Sequence, residues 1–553
     1  MKGAVGLSVG LFVVLYCAVL SGADGAKSRT KPNIIVLIGD DLSPREFPSY
    51  DTGVWSSTDE EPTDKKHFRA KTPMLDKIAK EGIFFDKAWA TPICAASRGM
   101  LMTGRYATIT KWWYNFDYGS WTDGNGKVGD IVPLWITSPL GIAHLATAAG
   151  YGTFWGGRAG MKDVNNLDKF GFERGIFVPA PQEFLPSPLS DFQIVGAGVD
   201  EDGNKIFVNK DTGKVEPGAR PQRSYTWRPH VLLLNPPNED EQLVYYPNTR
   251  KTKQAYSRGT FGPDVDMEVT KKFMETCVEE DTPFFLYATS RIGHKAYDFI
   301  NQKTDTWPPT PNLSWNASKE KYTKEEPVIS KRGGKYRTKG INNGGIRRHV
   351  EYLDYTIWQY VEKCKELGVL DNTVIIFSTD NGTKGYGKDS KNKQRGPHVP
   401  MFIYAPGMNM TKQGRSSEFV SFVDIVPTVA DLMGVSYLLD GYELHGQSLY
   451  KYLFRGAKKH TREYNFSYQT RSTGHKQLIR GSYVMKDGGD RWYDVSNEKR
   501  DLDSYPIITN WNKVPKELRD ERDELSKVLD EFDVYETEHD YDPTANQKRK
   551  KRK

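Results

Sequence analysis

Asn33-Ile34-Ile35-Val36-Leu37-Ile38 runs directly into Gly39-Asp40-Asp41 near the start of the chain. A short apolar run of this kind, bounded by a glycine, is typical of a strand that is buried on both faces. Such strands lie at the centre of parallel sheets that carry helices on both sides. We therefore expect Asp40 and Asp41 to follow the carboxyl end of a central strand, which makes them the first candidate functional residues.

Two more apolar runs end in the same way. Pro283–Ala288 leads to His294, and Val374–Phe377 leads to Asp380 and Asn381. Ligands of parallel sheets bind beyond the carboxyl ends of the strands, so these side chains are expected to converge on one edge. That convergence predicts a functional site there.

Helical patterns lie between the predicted strands. Apolar residues recur on one face over residues 265–277 and again over 346–364. Strands that alternate with helices predict an α/β fold with a mainly parallel sheet. A turn at Asp202-Gly203 predicts a hairpin, and after residue 435 short strand-like segments precede a helix predicted from Pro515 to Phe532.

Composition and charge exclude several classes of protein. The 553 residues include 77 Lys and Arg against 71 Asp and Glu, and the net charge of +6 is too small to indicate a nucleic-acid-binding protein. Only four cysteines are present, and Cys17 lies in an N-terminal apolar segment, so a disulfide scaffold is excluded. We expect a globular protein with a large core.

The two ends of the chain differ from its body. Lys2, the apolar residues 4–20 and the small residues 21–23 resemble the three parts of a signal peptide, with a membrane anchor as the alternative. Six consecutive basic residues close the chain at 548–553, as a solvated tail or as a contact for polyanionic glycans. No other apolar run is long enough to span a bilayer, so no stable membrane insertion is expected.

The polar residues at the strand ends have the chemistry of a metal site. Asp40, Asp41, Asp380 and Asn381 offer hard oxygen ligands of the kind that Ca²⁺ prefers. Taken alone, each pair fits a turn or a helix cap equally well.

Cys94-Ala95-Ala96-Ser97-Arg98 is followed at once by a segment that ends in Thr103-Gly104-Arg105. A cysteine that opens a helix next to an arginine would have its thiolate favoured, and an inert buried thiol is the alternative. This CxAxR pattern followed by TGR resembles the signature of the formylglycine-dependent sulfatases.

Further segments resemble landmarks of that family in the family's order, from about residue 31 to 500. They are Lys31-Pro32-Asn33, Thr72-Pro73-Met74-Leu75-Asp76, Val350-Glu351-Tyr352-Leu353-Asp354, Asp371-Asn372-Thr373, Phe422-Val423-Asp424-Ile425-Val426-Pro427-Thr428 and Trp492-Tyr493-Asp494. The resemblance implies an alkaline-phosphatase-like fold: a large mixed, mainly parallel sheet flanked by helices, with a smaller C-terminal α+β subdomain. We expect a signal peptide over residues 1–23, a sulfatase catalytic domain over 24–435, the subdomain over 436–540 and a basic tail over 541–553.

The resemblance also implies a mechanism. Cys94 would be oxidised to formylglycine by a formylglycine-generating enzyme, and the hydrate would attack sulfur in a two-step covalent route. Arg98 would hold the hydrate, and His294 would assist departure of the alcohol as a general acid. The metal-ligand positions of the family fall on Asp40, Asp41, Asp380 and Asn381, which implies a bound Ca²⁺.

The chain departs from the family's usual pattern at three places. Arg158 stands where a lysine is common, and Gly160 stands where a histidine is common. Arg158 keeps the charge for sulfate binding, although a guanidinium is harder to deprotonate. The downstream sulfate-binding lysine is assigned to Lys388, with Lys391 or Lys393 as alternatives. His398 either contacts substrate or is only a loop residue.

These observations predict a secreted sulfatase that acts on a sulfated carbohydrate, with a periplasmic or lysosomal location as alternatives. The prediction of a carbohydrate substrate rests on the predicted export, the basic tail and the 12% aromatic content. Phosphate or phosphonate ester hydrolysis is one alternative function, and a catalytically weak glycan-binding pseudoenzyme is another. Neither nucleic acid nor a membrane is expected as a partner. N-glycosylation sequons occur at Asn312, Asn316, Asn409 and Asn465.

Overall fold

The structure is a computed structural model with side chains. It describes residues 31–50, 70–113, 115, 121–122, 128–129, 132–158, 160–161, 167–177, 195–199, 201, 205–209, 231–234, 244–246, 261–294, 307–332, 335–389, 393–469, 476–497 and 505–538. The predicted signal peptide and basic tail lie outside these residues, as does Lys391. None of the described helices is long and apolar enough to cross a membrane.

A ten-stranded mixed sheet forms the centre of the fold, and the predicted strand at residue 33 is one of its inner strands. Its strands, in spatial order, are Val244–Tyr246, Val231–Leu234, Arg174–Phe177, Gly152–Gly157, Phe284–Thr289, Asn33–Gly39, Thr373–Thr379, Met401–Tyr404, Ile83–Trp89 and Gly414–Ser421. The two other apolar runs of the sequence flank the first strand on either side in parallel register.

Helices cover both faces of this sheet. Successive side chains of its central strands point to opposite faces, so they pack into two separate apolar cores. Ile34, Val36 and Ile38 face one core, whereas Ile35 and Leu37 face the other. The first core includes residues of Cys94–Thr103, Ile142–Ala148 and Ile425–Met433, and the second those of Pro73–Glu81, Gly262–Glu279 and Ile346–Glu366. Shorter helices are Ala107–Thr110, Leu134–Thr137 and Tyr450–Phe454.

A small antiparallel sheet and a long helix make up the C-terminal part of the chain. The sheet has four strands, Asn465–Gln469, Lys476–Arg480, Val484–Lys486 and Trp492–Asp494, and the helix spans Lys516–Glu538. The two strands of the predicted hairpin pair, Val195–Val199 with Lys205–Asn209, and the turn residues Asp202 and Gly203 lie outside the described residues. Further two-stranded ribbons pair Trp121–Thr122 with Val128–Gly129, Leu313–Asn316 with Lys321–Lys324, and Val328–Arg332 with Lys335–Lys339. The predicted α/β fold class is thus confirmed.

Arg462, in the C-terminal part, forms a buried ion pair with Asp424 and also contacts Tyr106, which follows the Cys94 helix. Arg462 donates from Nε to Asp424 at 2.7 Å and from Nη2 at 2.5 Å, and from Nη1 to the Tyr106 hydroxyl at 3.1 Å. Burial would raise the pKa of Asp424, but the Arg462 charge holds it below its usual value. This pair fixes the two parts against each other, although the proposed boundary at residue 435 stays a prediction.

Three of the sequons differ in burial. Asn316 is exposed at the tip of a two-stranded ribbon, and Asn409 is exposed as well. Asn465 is fully buried, and its Nδ2 donates to the Lys87 carbonyl at 2.5 Å. A folded chain therefore has no room for a glycan at Asn465.

Candidate active site

One edge of the large sheet collects the residues that the sequence marks as functional. The five strands that precede these residues run in the same direction: four pair in parallel, and the Ile83–Trp89 strand is antiparallel to Met401–Tyr404, which is itself antiparallel to Thr373–Thr379. All five therefore end at one edge, and the functional residues follow these ends in the loops and at a helix start. Those residues are Asp40 and Asp41, Cys94, Arg158, His294, and Asp380 with Asn381.

The four predicted metal ligands meet in a buried cluster. Asp40, Asp41, Asp380 and Asn381 are each 0% exposed. The amide of Asp41 donates to Asp380 Oδ1 at 3.1 Å, and Asn381 Nδ2 donates to Asp41 Oδ1 at 2.8 Å. Asp41 has a φ of 55°, in the left-handed region, so the chain turns sharply here. The turn directs both carboxylates toward the other strand end.

The free oxygens of this cluster fit a hard cation. Asp40 Oδ1, Asp41 Oδ2 and Asn381 Oδ1 are buried and accept no hydrogen bond. Buried polar oxygens without partners are costly, and a divalent cation would satisfy them together. One nitrogen of His294 and one oxygen each of Asp40 and Asp41 lie within 4.8 Å of one another, so the imidazole borders the same space. The residues present therefore fit Ca²⁺.

Cys94 is the first residue of its helix and is 2% exposed. Its Sγ lies 3.4 Å from Asn115 Oδ1 and 3.9 Å from Arg158 Nη2. Burial raises the pKa of the thiol, and the positive charges of Lys388 and Arg98 only partly oppose this. The expectation of a favoured thiolate is therefore wrong, because removal from water outweighs the nearby cations.

Arg98 lies beneath the cluster, fully buried on the second turn of the same helix. It donates to Asp380 Oδ2 from Nε at 3.1 Å and from Nη2 at 2.8 Å. Its Nη2 is also 3.5 Å from Asp40 Oδ2, and its Nη1 donates to the Arg158 carbonyl at 3.3 Å. Arg98 thus fixes two carboxylates and one loop relative to Cys94.

Arg158 reaches the site from the end of the Gly152–Gly157 strand. The Thr289 carbonyl accepts from its amide at 3.0 Å, and a side chain on Gly157 would collide with that carbonyl. Its guanidinium bridges Asp40 Oδ2, through Nη1, and Cys94 Sγ. The arginine therefore occupies the centre of the site, where the resemblance implies a lysine.

Lys388 is the described lysine that contacts the cluster. Its side chain is 8% exposed, and its ammonium donates to Asp41 Oδ1. Burial alone would lower the pKa of Lys388, but its electrostatic interactions with Cys94 and Asp41 raise it. Lys388 thus adds a positive charge to the cluster.

The two histidines of the sequence prediction differ in placement. His294 Nε2 lies 3.9 Å from Asp41 Oδ2, and the side chain is 21% exposed. His398 is 9% exposed, and its Nε2 lies 2.6 Å from the Asp86 carbonyl. His294 borders the cluster, whereas the contact of His398 with the Asp86 carbonyl favours the alternative that His398 is only a loop residue.

Sequence reasoning missed Asn115. Besides Cys94 Sγ, its Oδ1 accepts from the Ala95 amide at 3.3 Å, so it caps the start of the Cys94 helix. An asparagine 21 positions away carries no pattern that would single it out. Only the folded chain brings it to the reactive position.

Comparison with known proteins identifies this arrangement. A sequence model of the family described as Sulfatase matches residues 32–435. The chain belongs to the sulfatase family. The prediction of a sulfuric ester hydrolase is thereby confirmed at the level of the family, as is the resemblance drawn from the Cys94 motif.

Several sulfatases are similar in sequence. An arylsulfatase of Chlamydomonas reinhardtii is 36% identical over 472 residues, which cover 80% of this chain and 61% of that protein. An N-acetylgalactosamine-6-O-sulfatase of Bacteroides thetaiotaomicron is 22% identical over 420 residues, or 72% of this chain and 68% of that protein. The chain thus spans between about 60% and 70% of these relatives.

Solved structures share the fold. The crystal structure of Ps i-CgsB with k-i-k-neocarrahexaose has a TM-score of 0.56 at 19% identity and covers 90% of this chain and 92% of that chain. The sulfatase PsFucS1 from Pseudoalteromonas sp. has a TM-score of 0.51 at 18% identity, with 87% and 82% covered. At these identities the likeness shows the fold alone.

Proposed function

We propose that this sulfatase hydrolyses sulfate esters of a glycan, with position 94 as the nucleophile. The observation that supports this proposal is the meeting of Cys94, Arg158 and Lys388 with the buried carboxylates of Asp40 and Asp41. A sulfate placed over Cys94 would face two cations and the metal-ligand cluster at once. Such preorganised charge stabilises an oxyanion transition state.

The residues have separable tasks. Arg158 and Lys388 bind and orient the sulfate oxygens, and the planar guanidinium can donate two parallel hydrogen bonds. Arg98 is fully buried on the Cys94 helix and holds Asp380 in place. His294, on the more exposed side of the cluster, donates a proton to the departing alcohol oxygen.

Two groups complete the proposed site. Formylglycine, made from Cys94 by a formylglycine-generating enzyme, supplies a nucleophile that needs no thiolate, which agrees with the raised pKa of that thiol. Asp40, Asp41, Asp380 and Asn381 would hold Ca²⁺, which would supply positive charge to orient the sulfate.

The choice of a glycan rests on relatives and on export. Relatives are named for N-acetylgalactosamine-6-O-sulfate and for ulvan, and one structural neighbour holds D-glucosamine-2-N,6-O-disulfate as its substrate. The N-terminal segment has the three parts of a signal peptide, so a secreted protein is proposed. The placement of Arg158 beside Cys94 favours an enzyme over a binding-only protein.

Mass spectrometry of the tryptic peptide Ala88–Arg98 tests the nucleophile, with protein from a host that matures sulfatases. We expect the aldehyde at position 94 and, with Ca²⁺, release of sulfate from a panel of sulfated oligosaccharides. Cys94→Ala should abolish release, whereas Cys277→Ala, at a buried cysteine outside the site, should not. The proposal would be contradicted if Cys94 stayed unmodified in a host that converts the cysteine of a known sulfatase to formylglycine.

A comparison of leaving-group-matched esters tests the reaction class. We expect sulfate esters to be hydrolysed faster than phosphate or phosphonate esters of the same alcohol. Rapid turnover of aryl sulfates with no action on any sulfated oligosaccharide would support the sulfatase activity but contradict the proposed glycan substrate.

A further inference from the structure

The turn that carries His294 is held from three sides at the preceding glycine. The Gly293 amide donates to His349 Nδ1 at 2.9 Å, and the Gly293 carbonyl accepts from Trp307 Nε1 at 2.9 Å. Gly293 has a φ of 99°, and a Cβ there would lie 2.0 Å from the Asp40 carbonyl oxygen. No other residue fits at this position, and both of its backbone polar groups are bound to side chains.

His349 is itself fixed by its surroundings. It lies in the first turn of the Ile346–Glu366 helix and is 2% exposed. Because Nδ1 accepts from a backbone amide, the ring proton lies on Nε2, which donates to the Pro308 carbonyl at 2.7 Å. Both nitrogens of one neutral ring are therefore used to join Gly293 to the chain at Pro308.

Trp307 closes the same network. Its carbonyl accepts from the Gly345 amide at 3.1 Å, just before the helix that carries His349. The turn is also tied to the metal-ligand strand, since the Asp40 amide donates to the Ile292 carbonyl at 3.1 Å. The backbone before His294 is thus joined to one helix start and to one carboxylate strand.

We propose that His349 is a positioning residue for His294, and that it sets the place from which the imidazole protonates the departing alcohol. This inference rests on the proposed function, in which His294 is the general acid. His349 is buried behind the turn and acts only through the Gly293 backbone. A proton donor must lie within hydrogen-bond reach of its acceptor, so a small shift of the turn reduces its effect.

Leaving groups separate this role from a general loss of stability. An alcohol of a sugar is a poor leaving group and needs its proton, whereas a nitrophenolate departs without one. His349→Phe keeps the bulk of the ring and removes both hydrogen bonds. We expect it to lower kcat on a sulfated sugar roughly 10- to 100-fold, and on nitrophenyl sulfate by less than about 3-fold.

Two further variants complete the test. In His349→Asn the amide oxygen can still accept from the Gly293 amide, so much of the rate on the sugar sulfate should return. His144→Phe is the matched control, because His144 Nδ1 accepts from the Gly141 amide at 3.0 Å in another part of the fold. It should lower stability without any dependence on the leaving group.

A crystal structure of His349→Phe gives a readout that needs no activity. We expect the His294 ring to move by about 1 Å or more while Asp40 and Asp41 stay in place. An unmoved His294, or equal losses on both esters, would overturn the positioning role. If the wild-type protein hydrolysed neither ester, the proposed function would fail, and the His294 displacement would still decide whether His349 holds the turn.

Discussion

Gly160 packs directly against the guanidinium of Arg98. A Cβ atom at position 160 would lie 2.7 Å from Arg98 Nε and 3.1 Å from Arg98 Cζ, and φ at Gly160 is 61°. Arg98 cannot yield easily, because Asp380 and the Arg158 carbonyl bind it on its other sides. The histidine that is common in the family at this position is therefore incompatible with the present placement of Arg98.

Gly160→Ala should lower kcat/KM by roughly 10-fold or more, because the added methyl group displaces Arg98 and a misplaced active-site group is costly. Gly160→His should be no better than Gly160→Ala. Steady-state kinetics on a sulfated oligosaccharide measures the loss. Gly150→Ala is the control, since it introduces the same left-handed strain in open space and should leave the rate unchanged.

Arg158→Met should abolish sulfate release, because it removes the donor that bridges Asp40 and Cys94. Arg158→Lys keeps the positive charge but loses the two parallel N–H donors of the guanidinium, so we expect KM to rise about 10-fold with a smaller change in kcat. The same kinetics in the presence of Ca²⁺ separates KM from kcat. A lysine variant faster than wild type would show that the arginine is an adaptation for binding rather than for turnover.

The sheet edge could be predicted from sequence because strand ends carry their own signals. The apolar run before Asp40 and the one before Asp380 each stop at polar residues, and parallel strands then place both pairs together. Cys94 and Arg158 are predicted from the family resemblance instead, and the structure places both at the same edge. The general pattern and the resemblance thus converge on one cluster.

Long-range contacts could not be predicted in the same way. Asn115 and His349 lie 21 and 56 residues from the residues they bind, and neither belongs to a periodic pattern. The raised pKa of the Cys94 thiol depends on burial, which the local motif does not report. The Asp86 contact of His398 likewise appears only when two distant strands pair.

The ion pair between Arg462 and Asp424 should be important for stability. Arg462→Met would leave the buried Asp424 carboxylate without its arginine, so we expect the free energy of unfolding to fall by about 3 kcal/mol. Urea denaturation measures the change. Removing both charges in Asp424→Asn/Arg462→Met should cost less than the sum of the single changes.

An exposed pair provides the control for this effect. Arg415 donates to both carboxylate oxygens of Asp86, but its side chain is 55% exposed. Arg415→Met should therefore cost less than about 1 kcal/mol. Similar losses for Arg462→Met and Arg415→Met would show that the buried pair has no special part in joining the C-terminal segment.

His349 should make the stability of the wild-type protein depend on pH. Burial lowers the pKa of His349 to about 4, from 6.5 in its absence, although the Pro308 carbonyl partly opposes this. Between pH 6.5 and about 4, His349 is protonated in the unfolded chain but stays neutral in the folded chain. The stability that is present above pH 6.5 is therefore lost as the pH falls toward 4. For one titrating group, the free energy of unfolding cannot change by more than about 1.4 kcal/mol per pH unit. The stability advantage of wild type over His349→Phe, measured by urea denaturation, should therefore shrink between pH 7 and about 4.5, and a constant difference would mean that His349 binds its proton equally well in the folded and the unfolded chain.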